Sequence, residues 1–510
     1  MENQAVVTID GWQIDADSTR IARHGVYKKL EPRSMELLLY FTEHPNQVVS
    51  RQQIEDSVWK DRVVGYETLS VAIGKIRKAF EDTGKQHRVI ETIPKQGYRL
   101  IAPVLRVDSQ TEPFRYELPD KPSIAVLPFQ NLSDDPGQDF MADGMSEEII
   151  TALSRVPDLI VISRTSTFVY KQRTVDIRQI GRELAVKHVL EGSIRKAGDR
   201  IRITAQLVDT LSGDHVWAEH YDRRLDDIFT VQDEITHSIV VELQVQLVTG
   251  EYSRRWASGT KSIEAWELVI RANPLIEAQV LDKNVAAQQM LNRALEIDDQ
   301  YCIAWALMGW AYWQESAWEW CRNPEKLMQQ AFEVAQKALA INPHYPDGLS
   351  LLGHVYLSRD DTEQAITTSE RAAELAPGDS DTLALLGAVL VLNDHVKRGI
   401  QKLQSALRLN PFPPAWFLSI LGAAHHLDGD SETAISLLRQ AAEREPKSIL
   451  HRIWLANVMV ETGRLEEAGT IAKAILSIDP TFTAISWSKG VGSRLSNRFK
   501  ANLVTAGIPE

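Results

Sequence analysis

Residues 63–104 read VVGYETLSVAIGKIRKAFEDTGKQHRVIETIPKQGYRLIAPV. In the first half of this stretch, apolar side chains recur at about 100° per residue, on one stripe of a helix: Leu69, Ile73, Ile76 and Phe80. This period predicts a helix over residues 66–80 with the stripe facing a core. The second half alternates between apolar and polar residues on either side of the turn at residues 94–97, which predicts two antiparallel strands.

The opposite face of the predicted helix carries small and cationic side chains: Glu67, Val71, Gly74, Lys75 and Lys78, with Ser70 and Arg77 at its flanks. Small residues permit a helix to approach the major groove closely, and cations neutralise phosphates or contact guanine edges. Glycine destabilises a helix interior by roughly 1 kcal/mol relative to alanine, so its presence at Gly74 favours a role in which the helix approaches a partner closely. A solvated helix face would show the same charges, so the helix alone leaves both interpretations open.

Outward from this stretch, the sequence predicts an α+β module over residues 1–106. Pro32 marks the start of a helix, and Ser50 is a plausible N-cap of a second helix that begins at Arg51. Residues 107–122 contain three prolines without a period and are predicted to be a linker.

The charge of the chain is unevenly distributed. The net charge of the 510 residues is -13, whereas residues 1–106 hold 16 basic and 14 acidic residues and are slightly positive. Because acidic bulk repels DNA, any DNA contact should be confined to a local basic face of the first module. A hydrophobic content of 44% and two cysteines exclude wholesale disorder and a disulfide scaffold.

Two further regions follow the linker. Residues 123–248 alternate buried-strand runs with helical segments, which predicts an α/β domain. Over residues 262–488, Xaa-Pro dipeptides recur every 34 or 35 residues, at Pro343, Pro377, Pro411, Pro446 and Pro480. This period predicts an all-α solenoid of antiparallel helix pairs.

Each of the three regions is similar to a known family. Residues 5–106 resemble the OmpR/PhoB-type winged helix, especially the ToxR/CadC-like branch, through the helix pattern above and the PKQGYRL wing. Residues 121–248 resemble the TolB N-terminal/FlgO-like domain, and the 34-residue period resembles tetratricopeptide repeats. The whole order resembles HilA-like regulators, without a receiver domain or a transmembrane helix.

The resemblance implies which residues contact DNA. From the recognition helix they are Thr68, Ser70, Lys75, Arg77 and Lys78, and from the wing they are Lys95, Gln96 and Gly97, with Tyr98 and Arg99 positioning the turn. The sequence departs from the family where Glu67, Ala72 and Gly74 stand in place of Arg or His, so we expect a different target sequence. Pro94 replaces a frequent wing Arg, which leaves Lys95 as the cation expected in the minor groove.

Two other groups of side chains have alternative interpretations. A carboxylate cluster could hold a metal, but a loop and an exposed first helical turn explain it more simply: Asp134, Asp135, Asp139, Asp143, Glu147 and Glu148. Trp313, Trp318 and Trp320 have no role in the repeat pattern, so either core packing or a partner or ligand surface explains them. We predict no catalytic site, no metal site and no cofactor.

Together these resemblances imply a bacterial, cytoplasmic transcription regulator that binds double-stranded DNA. Its repeats and α/β domain would bind a protein or small ligand and support a homodimer. Because the middle domain also accompanies class III adenylate cyclases, a signalling enzyme of the nucleotide-cyclase type, or its regulatory subunit, is an alternative. An interaction scaffold that does not bind DNA is another alternative.

Overall fold

The chain forms two compact units, Met1–Arg115 and Tyr116–Glu510. The computed structural model describes residues 6–9, 12–15, 19–23, 26–44, 47–59, 66–80, 82, 88–93, 96–102, 104–107, 118–119, 121–133, 135–173, 175–243, 259–318, 320–321, 323–485 and 493–510.

The described part of the first unit has strands at both ends and helices between them. Its elements are β1 (Val6–Ile9), β2 (Trp12–Asp15), β3 (Arg20–Arg23), β4 (Val26–Lys29), α1 (Pro32–Glu43), β5 (Val48–Ser50), α2 (Arg51–Val58), α3 (Tyr66–Ala79), β6 (Ile90–Ile93), β7 (Gly97–Leu100) and β8 (Val104–Val107). The predicted helix, hairpin and N-cap are confirmed: the Ser50 side chain accepts from the backbone N–H of Gln53, and the Gln53 side chain accepts from that of Ser50.

The strands of this unit form two sheets. A five-stranded antiparallel sheet has the order β4-β3-β2-β1-β8, and a three-stranded sheet has the order β5-β7-β6. Val107, which the sequence assigned to the linker, instead ends β8 and pairs with Val6. The pairing of β8 with β1 joins residues far apart in the sequence and was not visible in a local pattern, and residues 108–117 of the predicted linker lie outside the described residues.

The core of the first unit lies between its helices and sheets. Trp12 and Phe80 are buried and meet edge to face, with ring centroids 6.1 Å apart. Leu69, Ile73 and Ile76 of α3 are buried in the same cluster. The apolar stripe of α3 therefore faces the core as predicted, which fixes the direction of its opposite face.

The described part of the second unit begins with an α/β segment and continues as helix pairs. The α/β elements are β9 (Ser123–Val126), β10 (Gln130–Asn131), α4 (Asp139–Ser154), β11 (Ile160–Val161), α5 (Arg164–Thr167), α6 (Ile177–Leu184), β12 (His188–Ala197), β13 (Arg200–Asp209), β14 (His215–Arg224) and α7 (Ile228–Glu242). The helices that follow are α8 (Ile263–Glu277), α9 (Leu281–Ile297), α10 (Cys302–Ala317), α11 (Pro324–Ile341), α12 (Pro346–Ser358), α13 (Thr362–Leu375), α14 (Ser380–Leu392), α15 (Val396–Leu409), α16 (Ala415–Leu427), α17 (Ser431–Arg444), α18 (Leu450–Glu461), α19 (Leu465–Ile478) and α20 (Ser493–Ala506).

The α/β segment is a mixed sheet with helices on both faces. The strand order is β11-β9-β12-β13-β14, in which β9 is parallel to both neighbours and β12, β13 and β14 are antiparallel. Ile124 and Val126 point to the side covered by α4 and α7, whereas Ala125 points to the side covered by α6. This alternation follows from the two-residue period of a strand.

The helices from α8 onward pack as antiparallel neighbours with the predicted period. Small residues let the paired helices approach: a Cβ added at Gly387 would lie 2.7 Å from Leu403, and one added at Gly422 would lie 2.8 Å from Leu438. The fold class predicted from the sequence, an α+β winged helix followed by an α/β domain and an all-α solenoid, is confirmed. Among the residues that the structure describes, no helix combines the length and hydropathy that a membrane span requires.

The α/β segment is joined to the repeats by direct hydrogen bonds. The backbone N–H of Ser163 donates to the carbonyl oxygen of Leu409 over 2.8 Å, and the N–H of Gly378 donates to that of Ser154 over 2.9 Å. The Ser166 hydroxyl lies 2.5 Å from Oδ1 of the buried Asn410. These contacts link the α4–α5 region to the later repeats and leave a cavity between the two parts.

Candidate nucleic-acid interface

One face of α3 is buried and the other is available to a partner. Thr68, Gly74, Lys75 and Lys78 are exposed, and Val71 is 54% exposed although it is apolar. A Cβ added at Gly74 would meet no atom within 4 Å. The exposed face thus combines small side chains with two cations, as the sequence predicted. Ser70 is half-buried at its flank.

The two lysines of α3 differ in their surroundings. Lys75 Nζ lies 2.6 Å from Oε1 of Glu31, the residue that precedes α1, and both side chains are largely exposed. Lys78 makes no ion pair with any residue that the structure describes. An exposed pair is worth little and is screened by salt, so a phosphate group can compete for Lys75.

Arg77 holds α3 against the hairpin. Its Nε and Nη2 donate to the carbonyl oxygen of Ile90 over 3.0 and 2.7 Å, and Nη2 also donates to Oγ1 of Thr92. Partial burial lowers the pKa of the guanidinium from its ordinary value, against the electrostatic influence of Asp82. The resemblance implied a DNA contact for Arg77, and in this structure its donors are directed to β6.

The hairpin between β6 and β7 carries the predicted wing residues. Gly97 has φ of +150°, and a Cβ there would lie 2.0 Å from the carbonyl oxygen of Val49 on β5. Only glycine fits this position. Gln96 is exposed beside it, and its backbone N–H donates to the carbonyl oxygen of Ile93. Lys95 lies outside the described residues.

Tyr98 and Arg99 have supporting places in the hairpin. Tyr98 is buried in the core of the unit. Arg99 Nη2 lies 2.6 Å from Oε2 of Glu91 on the neighbouring strand. Both side chains are engaged with their own unit, which agrees with a role in positioning the turn.

The three candidate tryptophans have different ring neighbours. The Trp313 ring meets those of Trp310 and His354 edge to face, at centroid distances of 5.5 and 5.6 Å. Trp318 and Trp320 stack on each other at 6.4 Å. Trp313 and Trp318 line a cavity in the second unit, whereas Trp320 is not among its lining residues.

The carboxylate cluster of the middle segment divides into two environments. Asp135 is exposed in the loop before α4, and hydrogen bonds from Gln138 and Gly137 lower its pKa. Glu147 and Glu148, however, lie two turns inside α4, where burial raises the pKa of Glu147 to about 7 and also raises that of Glu148. The prediction of an exposed first turn is wrong for these two residues because α8 packs against them: Trp266 and Asn273 donate to Glu148 and Glu147.

The cavity that Glu147 and Glu148 line has a volume of about 1430 Å³. Its walls come from α4, α5 and the repeat helices, including Tyr301, Asp347 and Asp381. Sequence reasoning did not predict this cavity, although two of the tryptophans that it left open as a ligand surface, Trp313 and Trp318, line it together with the carboxylate pair. No cluster of His, Cys, Asp and Glu suited to a metal occurs within the described residues.

Family models match each of the three regions. "Transcriptional regulatory protein, C terminal" matches residues 26–100. "HilA/YgeH-like transcriptional regulator, second domain" matches residues 120–249. "Tetratricopeptide repeat" matches residues 325–389 and 426–486.

Curated relatives match parts of the chain. A protein of Rhizobium meliloti (strain 1021) named "Putative adenylate cyclase 3" is 46% identical over 46% of this chain and 40% of its own length. "Transcriptional activator CadC" of Escherichia coli (strain K12) is 36% identical over 20% of each chain. This chain therefore spans less than half of either relative.

A solved structure, "DNA BINDING DOMAIN OF E.COLI CADC", is 35% identical over 21% of this chain and 99% of its own, with a TM-score of 0.19. The sequence matches agree with the arrangement of strands and helices in each region. The chain thus joins a region similar to the C-terminal domain of transcriptional regulatory proteins, a region similar to the second domain of HilA/YgeH-like regulators, and tetratricopeptide repeats.

Proposed function

We propose that this protein regulates transcription by sequence-specific binding to double-stranded DNA through α3 and the β6–β7 hairpin. The observation that carries the proposal is the division of α3 into a buried apolar stripe and an exposed face of Thr68, Val71, Gly74, Lys75 and Lys78. A helix enters a major groove with one face against bases and the other supported by its own core.

In the proposed complex, the residues of α3 have different roles. Lys75 and Lys78 contact guanine edges or phosphates, while Thr68 and Ser70 reach bases from the first half of the helix. Arg77 acts mainly by holding α3 on β6, because its donors engage Ile90 and Thr92.

In the wing, Lys95 and Gln96 enter the minor groove. Gly97, Tyr98 and Arg99 support the turn from within the first unit. The close approach of Gly97 to β5 and the burial of Tyr98 support this division.

The proposal assigns regulation to the second unit. Its repeats and its α/β segment bind a protein or small-molecule signal, with Trp313 and Trp318 on the cavity side and Trp320 as a further candidate contact. We also propose that this unit supports a homodimer, since one winged helix contacts few bases and specificity gains from paired half-sites. Sedimentation of the full chain, free and on a two-site DNA, tests this; a monomer in both states would contradict it.

We propose that the protein acts in the cytoplasm, is not an enzyme and uses no cofactor. The matches to transcription-regulator models support this class. The 46% identical relative favours a second candidate, a signalling enzyme of the nucleotide-cyclase type or its regulatory subunit. Turnover of ATP or GTP by the purified chain would favour the second candidate.

The experiment that tests the first candidate is selection of genomic DNA fragments by the full-length protein. The Lys75→Ala/Lys78→Ala variant, which lacks both exposed lysines of α3, is selected in parallel for comparison. We expect a repeated motif that the wild type recovers and the variant does not. If the wild type recovers no motif at low salt, the chain is an interaction scaffold rather than a DNA-binding regulator.

A further inference from the structure

The cavity of the second unit has a strong excess of acidic groups. Among its described lining residues there are three arginines, Arg155, Arg164 and Arg359, against nine carboxylates. The carboxylates are Glu147, Glu148, Glu277, Glu325, Asp347, Asp360, Asp379, Asp381 and Glu445. Enclosed carboxylates repel one another strongly, because few water molecules screen them.

All three arginines already have partners among their neighbours. Arg164 Nε lies 3.1 Å from Oε2 of Glu147, and its Nη1 lies 3.2 Å from Oε2 of Glu277. Arg359 donates to Oε1 of Gln329 and stacks over the Phe332 ring at 4.2 Å. Arg164 thus offsets the charge of Glu147 and Glu277 directly and also influences Asp381 electrostatically.

The carboxylates that α12 and α14 contribute form no ion pair with any residue that the structure describes. Asp381 forms no hydrogen bond or ion pair with any described residue, and Asp379, Glu277 and Asp347 are close enough to influence it electrostatically. Asp347 accepts from Nε1 of Trp310 over 3.0 Å. Burial raises the pKa of Asp347 to about 6. Asp381 is solvent-exposed where it lines the cavity.

The described histidines that line the cavity are His354 and His451, and His451 contacts Glu445 and Ser419. His354, which packs against Trp310, does not supply the missing charge beside Asp347. His354 is 4% exposed and lies against Trp310 and Trp313, and burial lowers its pKa to about 4. It is therefore neutral at pH 7 and contributes an aromatic surface rather than a cation.

This aromatic surface lies beside Asp347. Trp310 and Trp313 both line the cavity and meet edge to face at 5.5 Å. Because the Trp310 N–H is bonded to Asp347, the ring and the carboxylate are held next to each other. Indole rings attract cations through their faces, and carboxylates do so through charge.

Tyr301 supplies an independent sign of a ligand. Its side chain is fully buried and lines the cavity, yet its hydroxyl has no hydrogen-bond partner among the described residues. Glu147 and Glu148 are near enough to influence it. A buried hydroxyl without a partner is unfavourable, and a ligand group or water in the cavity would satisfy it.

We propose that this cavity binds an organic cation, an ammonium or guanidinium group on an apolar chain, through Asp347, Asp381 and the ring of Trp310. Two sources share this chemistry: a free polyamine and a lysine- or arginine-bearing peptide segment. The volume of the cavity is larger than that of most small-molecule sites, so the cavity can accommodate either the polyamine or the peptide segment. The inference rests on the signal-binding role proposed above, whose ligand class it names.

The test is calorimetric titration of the full-length protein, without DNA and at constant ionic strength. The probes are spermidine and an end-blocked Lys-Leu-Lys peptide, with end-blocked Gln-Leu-Gln as the uncharged comparison. The variant is Asp347→Asn/Asp381→Asn, in which an amide at residue 347 can still accept from Trp310. The matched control, Asp282→Asn/Asp428→Asn, removes the same charge from exposed positions that do not line the cavity.

We expect saturable binding of at least one cationic probe, weakened about tenfold or more in the cavity variant and unchanged in the control. Binding of spermidine alone indicates a free amine, and binding of the peptide alone indicates a peptide segment. Absence of saturable binding by both probes, or equal affinity in both double variants, overturns the inference. Thermal melts establish that the variants fold. Because the titration contains no DNA, its outcome is independent of that of the DNA selection, so failure of this inference can be told apart from failure of the proposed function.

Discussion

The guanidinium of Arg77 on α3 donates two hydrogen bonds to the carbonyl oxygen of Ile90 on β6. This contact joins the proposed recognition helix to the proposed wing. Arg77, for which the family resemblance implies a DNA contact, thus also stabilises its own unit through these hydrogen bonds.

Replacing Arg77 with alanine should therefore lower stability as well as DNA affinity. Loss of charged hydrogen bonds to Ile90 and Thr92 should cost about 1–3 kcal/mol in the free energy of unfolding. Lys78→Ala removes a cation from the same helix without such bonds, so its melting temperature should stay near that of the wild type. Urea unfolding of both variants measures this; equal stability of the two would contradict the role assigned to Arg77.

Gly74→Ala should separate stability from DNA binding. Alanine is favoured over glycine in a helix interior by about 1 kcal/mol, and nothing within 4 Å opposes the new methyl group. We expect a more stable protein that binds its selected DNA more weakly, because the methyl group would lie between α3 and the groove. Unchanged affinity in fluorescence-anisotropy titrations would mean that this part of α3 does not approach DNA closely.

Lys75 and Lys95 should respond differently to alanine substitution. Lys75→Ala should weaken binding to the selected motif by about tenfold, with a smaller effect on unrelated DNA. Lys95→Ala should mainly reduce the slope of log affinity against log salt concentration by about 1. Titrations at several salt concentrations, on specific and unrelated DNA, measure both quantities. Equal losses on both DNAs from both variants would argue against these roles.

Glu147 should make the stability of the second unit depend on pH. Burial raises its pKa to about 7 from an ordinary 4.5, although Arg164 favours the charged form and Glu277 and Glu148 oppose it. The folded state therefore retains a proton that the unfolded state releases between these values, so stability should fall as pH rises from about 4.5 to 7.

Glu147→Gln should reduce this pH dependence, since an amide cannot titrate. Asp347, whose pKa is raised to about 6, should still contribute part of it. Melting temperatures from pH 4.5 to 7.5 test the expectation, and Glu363→Gln, at an exposed position outside the cavity, is the control. We expect a decrease of a few degrees for the wild type and the control. The same profile in Glu147→Gln would show that this carboxyl is not responsible.

Local patterns in the sequence determined the helices, their buried faces and the order of the three regions. Leu69, Ile73 and Ile76 revealed the core face of α3 because a helix repeats every 3.6 residues, so its exposed face followed as well. The turn at the glycine before Tyr98 and the helix ends at the recurring prolines of the repeats could likewise be predicted, since turns and helix ends depend on a few adjacent residues.

Tertiary structure alone decided what these side chains contact. The engagement of Arg77 with Ile90, the pairing of Lys75 with Glu31 and the burial of Glu147 join residues that are distant in sequence or belong to different segments. The cavity is the clearest case, because Asp347 and Asp381 come from two helices, Tyr301 precedes a third, and the three residues share no local motif. Side-chain environment depends on which elements pack together, and that packing, rather than any local period, brought these carboxylates into one cavity.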